Sequence, residues 1–293
     1  MFIDIHTHSI MLNDPRQKAI SRWTWPEELI RIWDQAGIAK GVVLPLAHPE
    51  VGTILQTSEN VLDMAAKWPD RIIPFCNLDP RMLPNSAKTD FTPILEHYKS
   101  LGCKGVGEMT CNLWWDDDRV LNMLAHIETS GLPMLFHVAG VDRGTYGLID
   151  QFGMPKLEKV LQMFPKLNLI AHSMGPWSCI SGDATPQNWM GYPKGPVTPG
   201  GRFPELLRKH PNLWGDISAG SGNNALVRDP EFGWRFMEEF QDQLLFGTDI
   251  CDPRNETPLI DFMNEAVSAG HISQEVFDKI AWKNAARVLR LPL

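Results

Sequence analysis

Two histidines stand two residues apart near the start of the chain, in Asp4-Ile5-His6-Thr7-His8. In an extended segment, residues two apart share a face, so both imidazoles are presented to one point. Glu108, His137, His172 and Asp249 come later, each near the end of a short apolar run. Imidazole and carboxylate donors without a thiolate suit Zn²⁺, Mn²⁺, Fe²⁺ or Co²⁺. Zinc is the expected ion, with one or two ions per site both open. Such an ion lowers the pKa of water to about 7 and so supplies a nucleophile at neutral pH. The remaining histidines read differently. His97 and His126 fall in helical patterns, His210 at a helix end and His271 in a connection. His48 follows a strand pattern, but the sequence names no partner for it.

Six side chains so far apart in sequence need a scaffold that brings strand ends together. Eight short apolar runs supply the strands: Phe2–Thr7, 40–46, 71–78, 103–109, 133–138, 168–173, 212–218 and 244–248. Helical patterns separate them, at Pro26–Ala36, from Ser58, and at 93–101, Asp118–Ser130, 157–164, 203–210 and 230–241. Two more, at 258–269 and 274–289, close the chain. Crossovers of this length imply parallel pairing, and runs apolar throughout imply strands covered on both faces. Eight parallel strands close into a (β/α)₈ TIM barrel, read as one domain over residues 1–293. Barrel enzymes place their catalytic groups at the strand C-terminal ends, where Glu108, His137, His172 and Asp249 fall. A doubly wound open sheet would carry a glycine-rich phosphate turn after its first strand, and here that strand ends in His-Thr-His. Segment 177–202, rich in Gly and Pro, follows the sixth strand and reads as a lid or insertion loop.

A formal net charge of −8 makes phosphate backbones and anionic lipid poor partners. No apolar run approaches the roughly 20 residues that span a bilayer, and no secretory signal is visible at the N-terminus. The five cysteines are scattered without a CxxC pair, which favours reduced thiols and a cytoplasmic location. The expected partner is a small-molecule substrate, with no nucleic acid and no membrane; homo-oligomerisation is left open.

The motifs Asp4-Ile5-His6-Thr7-His8, Phe136-His137, Ala171-His172 and Phe246-Gly247-Thr248-Asp249, with Lys283-Asn284-Ala285-Ala286-Arg287 at the end, resemble the amidohydrolase superfamily. The likeness is to the branch that includes aminocarboxymuconate semialdehyde decarboxylase, and it spans essentially the whole chain. It implies that His6, His8, His137 and Asp249 ligate metal, and that His172 ligates a second ion or polarises the substrate. Two-metal members bridge their ions with a carboxylated lysine or a glutamate from the fourth strand, and Glu108 occupies that position. The resemblance implies hydrolysis of an ester, lactone, amide or similar bond, with Asp249 and His172 catalytic. The same scaffold also serves non-oxidative decarboxylation of small carboxylic acids. Trp114, Arg143, Trp177 and Arg254, on loops beside these strands, are the expected substrate contacts, since aromatic and guanidinium groups suit a planar or carboxylated molecule. Trp115, Asn112 and the small residues 218–224 are further candidates.

Overall fold

The computed structural model describes residues 1–11, 23–51, 55–141 and 144–292. Its strands are β1 (Phe2–Thr7), β2 (Ile38–Val43), β3 (Ile72–Pro74), β4 (Val106–Met109), β5 (Met134–Ala139), β6 (Leu148–Ile149), β7 (Leu169–His172), β8 (Leu213–Asp216) and β9 (Leu244–Leu245). Parallel pairing runs β1-β2-β3 and β4-β5-β7-β8-β9, with two-residue β6 added beside β5. Backbone hydrogen bonds join the two sets into a ring. Cys76 N donates to Gly105 O (3.0 Å) and Gly107 N to Cys76 O (2.9 Å). On the other side, Ile5 N donates to Phe246 O (2.9 Å) and His8 N to Ile250 O (2.9 Å). The expected barrel is therefore present, with β6 as an extra strand outside the eight.

Helices cover the outside for reasons visible in their sequences. In Asp118–Ser130, Val120, Met123, Leu124 and Ile127 recur at helical spacing and are buried. Asp117 caps the first turn by accepting from Arg119 N, and Gly131 ends the helix at φ 72°, a conformation costly for residues with a Cβ. Together these helices and the outward strand residues form the larger apolar core. A second core fills the barrel interior: Ile3, Ile5, Val42, Leu44, Ile73, Phe75, Leu135, Ile170, Trp214 and Leu245. The closing segment plugs this interior with Ala285, Ala286, Val288 and Leu289.

Several elements depart from expectation. Strand 71–78 shortens to Ile72–Pro74. Residues 218–224, expected as a loop, lead into a helix over Ala219–Val227 despite two glycines. The closing helical run is interrupted by a wider π-helical turn at Lys279–Lys283. Segment 177–202 starts inside a short helix, Met174–Ser178, and then runs irregularly but tied down. Asn224 Nδ2 donates to Pro193 O (3.1 Å), and Val197 N donates to Asp229 Oδ2 (2.9 Å). Among the described residues, no helix is long and apolar enough to cross a membrane, and all five cysteines are free.

Candidate metal centre

The inward side chains of three neighbouring strands set the site. Leu135 and Ile170 point into the barrel core, so His137 and His172, two residues on, share that face at the mouth. The β5–β7 register makes His137 and His172 direct neighbours. On β8 the same logic carries Trp214 to Asp216. In β1 the pairing is irregular between Asp4 and Thr7, and such irregularities re-aim side chains; His6 joins the mouth beside interior Ile5. Asn77 Nδ2 donates to the Glu108 carbonyl (2.7 Å) and to Pro45 O (3.2 Å), clamping the end of β4.

Four donors lie close together. His6 Nε2 lies 3.1 Å from His8 Nε2, 3.7 Å from Glu108 Oε2 and 3.4 Å from Asp249 Oδ1. His8 Nε2 lies 3.3 Å from Glu108 Oε2 and 3.7 Å from Asp249 Oδ1. Ligands about 2.1 Å from a tetrahedral ion sit about 3.4 Å from each other, so each of these five separations suits a pair of ligands sharing an ion. The far ring nitrogens are already engaged. His6 Nδ1 meets Asp216 Oδ2 at 2.7 Å, and His8 Nδ1 meets Leu44 O at 3.1 Å. Such partners fix the tautomer and aim Nε2 at a cation.

A second group lies alongside. Glu108 Oε1 meets His137 Nδ1 at 2.8 Å, and His172 Nδ1 meets Asp216 Oδ2 at 3.0 Å, leaving its Nε2 3.9 Å from Asp249 Oδ2. Glu108, His137 and His172 offer donor atoms all within 4.8 Å of one another, as do His6 with His8 and Glu108, and His6 with His172 and Asp249. All six expected ligands therefore meet. Glu108 belongs to two of these groups, one oxygen toward each.

Charge crowding explains why the cluster wants a cation. Burial disfavours an imidazolium at His6, yet Asp249, Asp216 and Glu108 outweigh it and hold its pKa well above the usual range. Burial likewise opposes the Glu108 and Asp216 carboxylates, but their histidine partners keep both well below the carboxylate range. At His137 burial prevails over Glu108 and lowers the pKa. Burial also pushes Asp4 up to about 7, against hydrogen bonds from Thr248 and the His6 amide. A divalent ion would supply the positive charge that the His6 proton supplies without it.

Asp249 differs from the other donors. Its side chain is 26% exposed, whereas those of His6 and Glu108 are 0% and 3%. It sits at φ 57°, in the left-handed region that aspartate tolerates, with its N–H donating to His6 O (2.8 Å). It faces a cavity of about 340 Å³ whose walls include Tyr192, Gly220, Asn223, Thr248 and Cys251.

The expected substrate contacts fare less well. Trp177 is 1% exposed; its indole donates to Asp216 O (2.8 Å) and packs on Phe203 and Phe236, so it braces β8 from behind. Trp115 is core, edge-on to Phe136. Trp114 stands under Lys156 in a surface depression with Asp116 and Gln151. Arg254 is exposed and paired with Asp252. Burial corrects the expectation for Trp177 and Trp115, because loop position does not say whether an aromatic ring turns inward. Arg143 lies outside the described residues. His48 is buried away from the cluster, hydrogen-bonded to Thr110 Oγ1 (2.9 Å) and Leu78 O (3.0 Å).

Two contributors, Asp216 and Tyr146, were not read from the sequence. Asp216 bridges His6 and His172, and Ser218 Oγ donates to it at 2.8 Å. The Tyr146 ring lies 4.4 Å from that of His137, centroid to centroid. Asp216 ends a strand, and the strand-end rule that selected His172 would have found it. Tyr146 carries no such signal.

A family model described as Amidohydrolase matches residues 41–291. The chain belongs to the amidohydrolase family. The matched span begins after β1, so the His6–His8 pair stands on the geometry above. Membership makes this a metal-dependent enzyme, in keeping with the donor set. No curated protein sequence matches the chain. Solved structures share its fold. A TIM-barrel protein of Bordetella bronchiseptica is 18% identical, with TM-score 0.62, over 99% of this chain and 98% of that one. The 5-carboxyvanillate decarboxylase of Sphingomonas paucimobilis is 17% identical, with TM-score 0.62, over 99% of both. A Pseudomonas putida protein assigned as a 2-pyrone-4,6-dicarboxylic acid hydrolase is 15% identical, with TM-score 0.62, over 100% and 98%. At these identities the likeness concerns the fold alone.

Proposed function

We propose that this enzyme hydrolyses an ester, lactone, amide or similar bond of a small molecule at a two-ion centre. The observation that carries the reading is Glu108, whose Oε2 faces His6 and His8 while its Oε1 faces His137. His6, His8 and Asp249 would hold one ion, His137 and His172 the other, with Glu108 between them. Zinc is the proposed metal, because the separations suit a small tetrahedral ion bound by nitrogen and oxygen. When bound, such ions acidify water and polarise a carbonyl.

The protein's own groups then divide the work. Asp249, open to the cavity, takes the proton of the attacking water and passes it to the leaving group. Asp216 keeps His6 and His172 in one orientation through both transfers. Glu108, buried and ionised, stays a ligand and carries no proton.

Elemental analysis tests this directly. The purified protein at saturating metal should hold two ions per chain, and Glu108→Gln should hold one. One ion in the unmodified protein, or an unchanged count in the variant, would remove the reason for preferring hydrolysis. The second reading is non-oxidative decarboxylation of a small carboxylic acid, the reaction in the name of the Sphingomonas neighbour. There Asp249 or His172 would deliver a proton to carbon as CO₂ leaves. Parallel panels of lactones, esters and aromatic acids, scored for acid and for CO₂ release, separate the two.

A further inference from the structure

A second cavity, of about 920 Å³, opens beside the metal centre between the loop after β5 and residues 186–193. Its walls include Gly140, Val141, Phe152, Trp189, Met190 and Tyr192. Two residues tie it to the site. Tyr192 lines both this cavity and the one that holds Asp249. Tyr146 follows the wall residue Thr145 and lies against the His137 ring. Gly140 lets the opposite wall come near, since a Cβ there would meet Met190 Cγ at 3.1 Å.

The described wall sets Val141, Phe152, Trp189, Met190 and Tyr192 beside the neutral polar groups of Thr145, Gln151, Gln187 and Asn188. Among the described lining residues none carries a charge. Phe152 and Trp189 stand edge to face, 6.3 Å apart. Ten large hydrophobic side chains are exposed among the described residues; three of them (Val141 50%, Phe152 37%, Tyr192 53%) line this cavity, and Tyr146 (37%) follows its wall residue Thr145. Exposed apolar groups clustered beside a polar centre mark a ligand groove, and an apolar arm laid against them is removed from water.

We infer that the substrate carries an apolar arm, aryl or branched alkyl, that lies in this cavity while its scissile group reaches the metal centre. The inference rests on the proposed hydrolase reading only for the reacting end. The arm fills the space between Phe152 and Tyr192.

Hydroxamates, which chelate a single ion and need no turnover, test the arm apart from the reaction. Calorimetry on the metal-loaded protein compares acetohydroxamate, phenylacetohydroxamate and its ring-carboxylated analogue. The phenyl arm should tighten binding on the order of tenfold or more, and the carboxylated arm should recover less of that gain. Phe152→Ala, at a partly exposed position, should remove several-fold of the phenyl gain and leave acetohydroxamate unchanged. Equal affinities, absence of binding by all three, a preference for the carboxylated arm, or an equal loss for both probes in the variant would overturn the inference. A one-ion protein that hydrolyses nothing yet prefers the phenyl arm would sink the hydrolase reading and leave the arm standing.

Discussion

Along β5, β7 and β8 the inward side chains change character within two residues: Leu135 to His137, Ile170 to His172, Trp214 to Asp216. The floor of the barrel is apolar and sealed by Ala285, Ala286, Val288 and Leu289. The mouth, roughly 7 Å further along the strands, holds buried imidazoles and carboxylates. Both regions use the same backbone and the same pleat. Floor residues contribute by leaving water, and mouth residues are costly to bury unless a counter-charge is present. Folding energy and chemistry are thus separated along the strand axis, and a change in one region should leave the other nearly intact.

The sharpest way to break that separation is Asp249→Asn. Turnover should fall by about 10² to 10⁴, the usual contribution of a positioned proton carrier, with thermal stability retained; near-native rates on the true substrate would show that another group moves the proton. On the floor, Ile170→Ala should cost about 2–5 kcal/mol of stability while metal content per folded chain stays constant. Loss of metal in chemically folded Ile170→Ala would mean that floor and mouth are one unit. Asp216→Asn probes the joint between them. It should weaken metal binding about 10- to 100-fold, as other losses of a ligand's hydrogen-bond partner do, measured by competition with a chromogenic chelator.

A smaller effect separates burial from function. Asp150 is buried outside the barrel mouth and accepts from Lys156 N (3.2 Å) and Leu157 N (2.8 Å) at the start of the Pro155–Met163 helix. Burial raises its pKa to about 6, opposed by those N–H groups. For a carboxyl raised above its unfolded value of about 3.9, the associated stability is full at low pH and is lost as pH rises toward 6. Asp150→Asn has no such proton to lose, so the variant should gain on the parent protein between pH 4 and 6, read from urea unfolding at each pH. A flat difference would mean that the helix N–H groups fully offset the burial.

The sequence made the proposed ligands legible because their type is rare in apolar runs and their positions recur at strand ends. His6 and His8 shared a face by simple alternation, although the chain reaches that face through an irregular register. Asp216 escaped because Trp-Gly-Asp reads as an ordinary strand exit beside a polar loop. Trp177 and Trp115 misled for the opposite reason: their segments follow strand ends, but both rings turn back into the helix layer. The helix over Ala219–Val227 was hidden by Gly220 and Gly222, which weaken local helix preference; packing of Ala225 and Leu226 supplies what propensity lacks. Pocket walls made by residues 140–152 and 186–193 depend on loop paths, which periodicity does not encode.

The ring is closed by residues 2–8 against residues 246–250, and three donors proposed for the first ion, His6, His8 and Asp249, come from the two edges of that seam. During synthesis, His6 and His8 leave the ribosome long before Asp249 exists. A nascent chain therefore cannot complete this coordination set, however much metal the surroundings hold. On the proposed assignment, loading waits until translation has passed the last strand, so products terminated before Asp249 should be catalytically silent instead of partly active.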